Sequence, residues 1–194
     1  MIENRTEAKP RHRLLAANDI PGFSRRDEAA KIVLRQALYR ITKNACEAAG
    51  VPWRTIRHED RGDGILMVLN SAGLETLLTP LLQETLTGIR LHNRCVIDPQ
   101  HELQLRMALT DGYVHQDPYG VSGKAVNLLF RLLEADTFKR QLEESSADFG
   151  LIISDSVYQT ATGYRLIDSK DFTATCVDVK ETHTNAWTYI PSGS

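Results

Sequence analysis

The apolar positions of this chain change period several times, and each change marks an element. Arg13-Leu14-Leu15-Ala16-Ala17-Asn18 reads as a short buried strand that ends at Asp19-Ile20-Pro21-Gly22-Phe23-Ser24, where Pro and Gly break it. From about Asp27 to Ala49 apolar residues return at helical spacing (Ala30, Val33, Leu34, Ala37, Leu38, Ile41, Ala45), and Gly50 supplies a stop. Next, an alternating charged arm, Ile56 to Asp60, enters a tight Gly62-Asp63-Gly64 turn. It returns as the apolar run Ile65 to Leu69, the pattern of a hairpin whose second strand enters a core. A second amphipathic helix is predicted from Gly73 to about Thr87, kinked or started late by Pro80.

Leu103 to Val114 alternates as a strand, with Leu103, Leu105, Met107 and Leu109 on one side and Gln104, Arg106 and Thr110 on the other. It closes at an Asp111-Gly112 turn or bulge. A glycine-punctuated loop, Asp117 to Gly123, leads into a helix from about Lys124 to Ala135, with a further helical piece from Phe138 to Glu144. Phe149 to Ile153 is a short buried strand, and Ser154 caps a small helix through Tyr158. Phe172 to Val179 and Ala186 to Ile190 pair as a closing hairpin. Alternating strands and helices imply an α/β or α+β fold, with helices over one sheet face.

Composition narrows the function more than the fold. A chain of 194 residues suits one domain with a substantial core, placed at 13–190 behind a flexible N-terminal leader, 1–12. The formal net charge of -2 provides no broad field for nucleic acid, although basic clusters at Arg5 to Arg13 and at Arg25-Arg26 suit a small polyanion. No apolar run approaches the ~20 residues of a membrane span, and the N-terminus lacks a signal-peptide core, so a cytoplasmic protein without a membrane partner is expected. Cys46, Cys95 and Cys176 are too scattered for a disulfide framework or zinc site and are expected to be reduced. His58, His92, His101, His115 and His183 lack metal-ligand spacing.

Two acids stand at strand ends beside glycine turns, Asp19 and Asp63. Asp-Gly is also a plain hairpin-turn signal, and both readings of Asp63 stay open on the turn alone. If the first strand lies beside the hairpin, the two carboxylates converge on one sheet edge, a donor set for hard divalent cations that share ligands with substrate phosphates. A helix start after Pro21-Gly22 would offer the amides of Phe23 and Ser24 to a phosphate. Asn127 and Arg131, four apart on one buried-helix face, suit a sugar oxygen and a phosphoryl group. Arg106 faces either solvent or a triphosphate, and Asp111 reads as a turn former.

Four blocks together, Asp19-Ile20-Pro21-Gly22-Phe23-Ser24, Gly62-Asp63-Gly64, Leu105 to Val114 and Gly123 to Leu132, resemble successive blocks of class III nucleotidyl cyclase catalytic domains, in order and spacing. The resemblance implies an α+β, ferredoxin-like βαββαβ core acting as a head-to-tail homodimer with active sites at the interface. By that resemblance Asp19, Asp63 and the Ile20 carbonyl hold two divalent metal ions, Mn²⁺ or Mg²⁺. Asn127 orients the ribose, Arg131 stabilises the transition state from the other subunit, and Lys180 reaches the triphosphate. The family's two base-choosing positions fall on Glu59 and Gly120, beside Tyr119, and match neither purine pair. That departure resembles the pyrimidine cyclases of bacterial anti-phage (Pycsar) systems, and implies conversion of UTP to 3′,5′-cyclic UMP and pyrophosphate. The alternatives are a purine cyclase with atypical base contacts and an inactive nucleotide-sensing module.

Overall fold

A computed structural model describes residues 9–191; part of the predicted leader, 1–8, lies outside the described residues. Its elements in chain order are β1 (Arg11–Asp19), α1 (Glu28–Ala48), β2 (Arg57–Asp60), β3 (Gly64–Leu69), a helical turn α2 (Leu74–Thr76) and α3 (Leu82–Cys95). They continue with β4 (Leu105–Asp117), β5 (Gly120–Ser122), α4 (Lys124–Glu134), α5 (Asp136–Ser145), β6 (Phe149–Ser154), α6 (Asp155–Gly163), β7 (Thr173–Val179) and β8 (Thr182–Tyr189). The first strand begins at Arg11, two residues before the predicted start.

The sheet runs β2-β3-β1-β4-β6-β8-β7, with β5 paired to β4. Its first four strands, with α1 and α3, are a βαββαβ unit in which β1 pairs antiparallel with both β3 and β4. The expected ferredoxin-like core is therefore present. β4 and β6 are parallel, joined through α4 and α5.

Helices cover both faces of the sheet, not one. On one face Leu34, Leu38 and Ile41 of α1, with Leu77, Leu81 and Ile89, pack on Ala16, Met67, Leu105 and Met107. On the other, Val126, Leu129 and Leu133 of α4, with Phe138 of α5, pack on Leu15, Ala17, Leu66 and Ala108. This explains why β3 and β6 read as unbroken apolar runs, since every residue of each is buried. It also explains why the alternation predicted for 103–110 fails at Ala108 and Thr110, both fully buried.

Three further corrections concern local geometry. Pro80 falls in a π-helical stretch, Leu77–Leu81, and α-helix resumes at Leu82. Asp111 is not in a turn, because β4 runs through it to Asp117. There its carboxylate accepts from Ser156 Oγ at 2.6 Å and lies 3.2 Å from His12 Nε2. The loop 117–123 contains β5, whose Gly120 pairs with Asp117.

Candidate active site

β1 delivers Asp19 to the sheet edge, and the hairpin delivers Asp63 beside it. In register, Asp19 lies opposite Gly64 on one side and Arg106 on the other. The junction is fastened by Ile20 N–H donating to the Asp63 carbonyl at 3.0 Å, and by buried Asn18. The Asn18 amide oxygen accepts from Ile65 N–H at 3.0 Å, and its NH₂ donates to Thr42 Oγ1 of α1 at 3.2 Å. A Cβ at position 64 would stand 2.0 Å from the Asn18 carbonyl oxygen, so only glycine lets the hairpin come this close.

Asp19 and Asp63 line one cleft of about 210 Å³ with Asn18, Arg61, Gly64, Phe130, Leu133 and Glu134. Arg106 neither faces solvent nor stands free. Its Nε and Nη2 donate to the two Asp19 oxygens at 2.8 and 2.7 Å, a bidentate cross-strand pair that is mostly buried. Burial raises the Asp19 carboxyl above its usual range, Arg106 opposes that shift, and the neighbouring charge of Asp63 adds to it.

Two carboxylates sharing one cleft fit a divalent cation that completes its shell with phosphate oxygens and water. No cluster of three or more His, Cys, Asp or Glu side chains suited to a metal exists among the described residues.

The hairpin has a support that the sequence did not reveal. Arg35 of α1 donates from Nη1 and Nη2 to the Asp60 carboxylate at 3.0 and 2.5 Å, and from Nη1 to the Gly62 carbonyl. The Asp60 carboxylate also accepts from Gly62 N–H at 2.7 Å. Arg35, first among these partners, holds the Asp60 carboxyl well below the usual carboxylate range. One guanidinium thus ties the turn that carries Asp63 to the long helix.

Other predicted residues fall differently. Pro21-Gly22 opens only a single 3₁₀ turn, Phe23–Arg25, while α1 starts later at Glu28 under its own cap, Asp27. The Phe23 N–H is spent on the Ile20 carbonyl at 3.3 Å and its ring packs on the core, so no helix start offers the Phe23 amide there. Asn127 is exposed on α4, not buried. Arg131, one turn later, lies 3.0 Å from Glu134 and 3.5 Å from Glu181. Neither Asn127 nor Arg131 lines the Asp19–Asp63 cleft. Lys180 is exposed in the β7–β8 turn, beside Glu181.

Glu59 and Gly120 do meet. A Cβ on Gly120 would stand 3.1 Å from Glu59 Oε1, an oxygen that is buried and without a hydrogen-bond partner. Tyr119 is 88% exposed on the turn before β5.

No protein-family model and no curated protein matches the sequence. Solved structures do match in fold. An adenylate/guanylate cyclase/hydrolase from Silicibacter pomeroyi shares 20% identity over 95% of this chain and 99% of its own, with a TM-score of 0.63. The guanylyl cyclase Cya2 gives 16% identity over 95% and 93%, TM-score 0.66. The guanylate cyclase domain of RhGC from Catenaria anguillulae, solved with GTP, gives 17% identity over 96% and 100%, TM-score 0.60. The fold is that of class III nucleotidyl cyclase catalytic domains.

Proposed function

We propose that this protein is a nucleotidyl cyclase that converts UTP to 3′,5′-cyclic UMP and pyrophosphate as a homodimer with active sites at the interface. The observation that carries the cyclase reading is the meeting of Asp19 and Asp63 in one cleft at the ends of β1 and the β2–β3 turn. Asp19, Asp63 and the Ile20 carbonyl would hold two Mn²⁺ or Mg²⁺ ions, which when bound supply charge neutralisation at the triphosphate and lower the pKa of the attacking hydroxyl. The ribose 3′-hydroxyl gives its proton to solvent as its oxygen forms a bond to the α-phosphorus and the bond to the bridging β-phosphate oxygen breaks, so that pyrophosphate leaves. Asn127 holds the ribose from an exposed helix face, where a second protomer can present it. Arg131, one turn along, offers a planar guanidinium to charge that builds on the phosphoryl oxygens. Lys180 meets the β- and γ-phosphates.

The choice of UTP rests on Glu59 lying against a glycine at position 120, a pair that lacks the polar partner of a purine site. Cyclic UMP made this way would serve as an anti-phage second messenger. A purine reading is favoured by one fact, that the solved neighbours are named as adenylate and guanylate cyclases.

Purified protein incubated separately with ATP, GTP, CTP and UTP plus Mn²⁺ should yield cyclic UMP as the main product by mass spectrometry. Dominant cyclic AMP or cyclic GMP would rule out the pyrimidine reading. Asp63→Ala should abolish turnover, and activity that survives it removes the metal assignment.

A further inference from the structure

Arg57 and Arg61 have no role in the assignments above, yet both stand at the Glu59 carboxylate. β2 alternates, so Arg57 and Glu59 share the face that looks toward β5 and α4, and Arg61 reaches the same carboxylate from just beyond the strand. Arg61 Nη2 donates to Glu59 Oε2 at 2.9 Å, while Arg57 Nη2 lies 3.9 Å from Oε1, outside hydrogen-bond reach. Each guanidinium is also anchored by something other than Glu59. Arg57 Nη2 donates to the Asp117 carbonyl at 2.8 Å, and the Arg61 guanidinium carbon sits 4.9 Å from the Phe130 ring centroid.

Glu59 Oε1 is left without a partner, facing the bare Cα of Gly120. All three side chains keep some solvent exposure. The arrangement is a hydrogen-bond acceptor between two obligate donors.

We propose that Arg57, Glu59 and Arg61 together read the base edge, and that their donor–acceptor–donor order selects uracil. This deepens, and rests on, the cyclase reading. The uracil edge presents N3–H between two carbonyl oxygens, so N3–H meets Glu59 Oε1 and the carbonyls meet the guanidiniums. Cytosine sets a bare N3 lone pair against the carboxylate and an amino group against a guanidinium. Adenine likewise turns a ring lone pair toward Glu59. Guanine satisfies Glu59 through N1–H but sets its amino group against a guanidinium. A mismatch leaves the buried Glu59 Oε1 unpaired or sets donor against donor, which is how such sites reject near-isosteres. Gly120 puts no side chain in front of Oε1, where a Cβ would stand 3.1 Å away.

The test is the UTP-to-CTP preference of the full chain with Mn²⁺, measured as cyclic products from an equimolar mixture, for wild type, Arg57→Met and Arg61→Met. Because both products come from one sample, the ratio does not depend on the folded fraction. Where a variant loses turnover, the ratio is read by equilibrium dialysis with labelled UTP and CTP.

Wild type should prefer UTP, and each Met variant should lower the ratio at least tenfold, with Arg61→Lys intermediate. A ratio unchanged in both Met variants overturns the proposal. Wild-type cyclisation led by CTP, ATP or GTP also overturns it while leaving the cyclase reading standing, whereas failure to bind or cyclise any nucleotide overturns both.

Discussion

Asp19 ends a strand whose last residue has a glycine on one flank and an arginine on the other, and those two neighbours define what it can do. Gly64 permits the close approach that brings Asp63 alongside. Gly64→Ala should therefore cost at least ~2 kcal/mol in urea unfolding, because the clash is with backbone that cannot swing aside. Gly112 works similarly against α4, where a Cβ would stand 2.8 Å from that of Ala125. None of these contacts was legible from residue identities. Gly-Asp-Gly reads also as an ordinary turn, and Arg106, on the polar side of an alternating strand, reads as facing solvent or a triphosphate until its opposite number across the ladder is known.

Among the elements, the β2–β3 hairpin depends most on a neighbour. Arg35 holds it through a partly exposed ion pair with Asp60, worth about 1 kcal/mol once solvent screening is allowed for. The Asp60 carboxyl is depressed in the folded state, so this contribution is present above the ordinary value of 3.8 and fades as pH falls below it. Urea midpoints of wild type and Arg35→Ala should differ at pH 7 and draw together as pH falls below 3.8. Arg35→Ala should also lower kcat more than it raises the KM for UTP, since it frees the turn that carries Asp63 without touching the base edge. The helices were easier to foresee. The spacing of Ala30, Leu34, Ala37, Leu38, Ile41 and Ala45 predicted α1 closely, because a 21-residue amphipathic helix repeats its pattern over many turns. The three-residue strand β5 has too few positions to show any period.

For the whole molecule, the informative fact is a separation. Asp19 and Asp63 share a cleft that Asn127 and Arg131 do not line, and Asn127 points outward. If two copies complete each other's sites, Asp63→Ala and Arg131→Ala, each inactive alone, should regain about a quarter of wild-type activity when mixed in equal amounts, as one of two sites in each mixed dimer is then intact. A single-chain site would give no recovery. No helix among the described residues is long and apolar enough to cross a membrane, in keeping with the absence of long apolar runs in the sequence.

Taken alone, the sequence determined the element order, the long helices and the position of both acids at strand ends, because these follow from periodicity and turn chemistry within a dozen residues of each other. It also carried the four blocks that resemble nucleotidyl cyclases. Tertiary structure decided what needs partners far apart in the chain. Arg106 grips Asp19 across 87 positions, Arg35 reaches Asp60 across 25, and Glu59 faces the empty Cα of Gly120. Such contacts depend on strand order and on which face each side chain takes, and only the assembled sheet, with helices on both sides, sets those together.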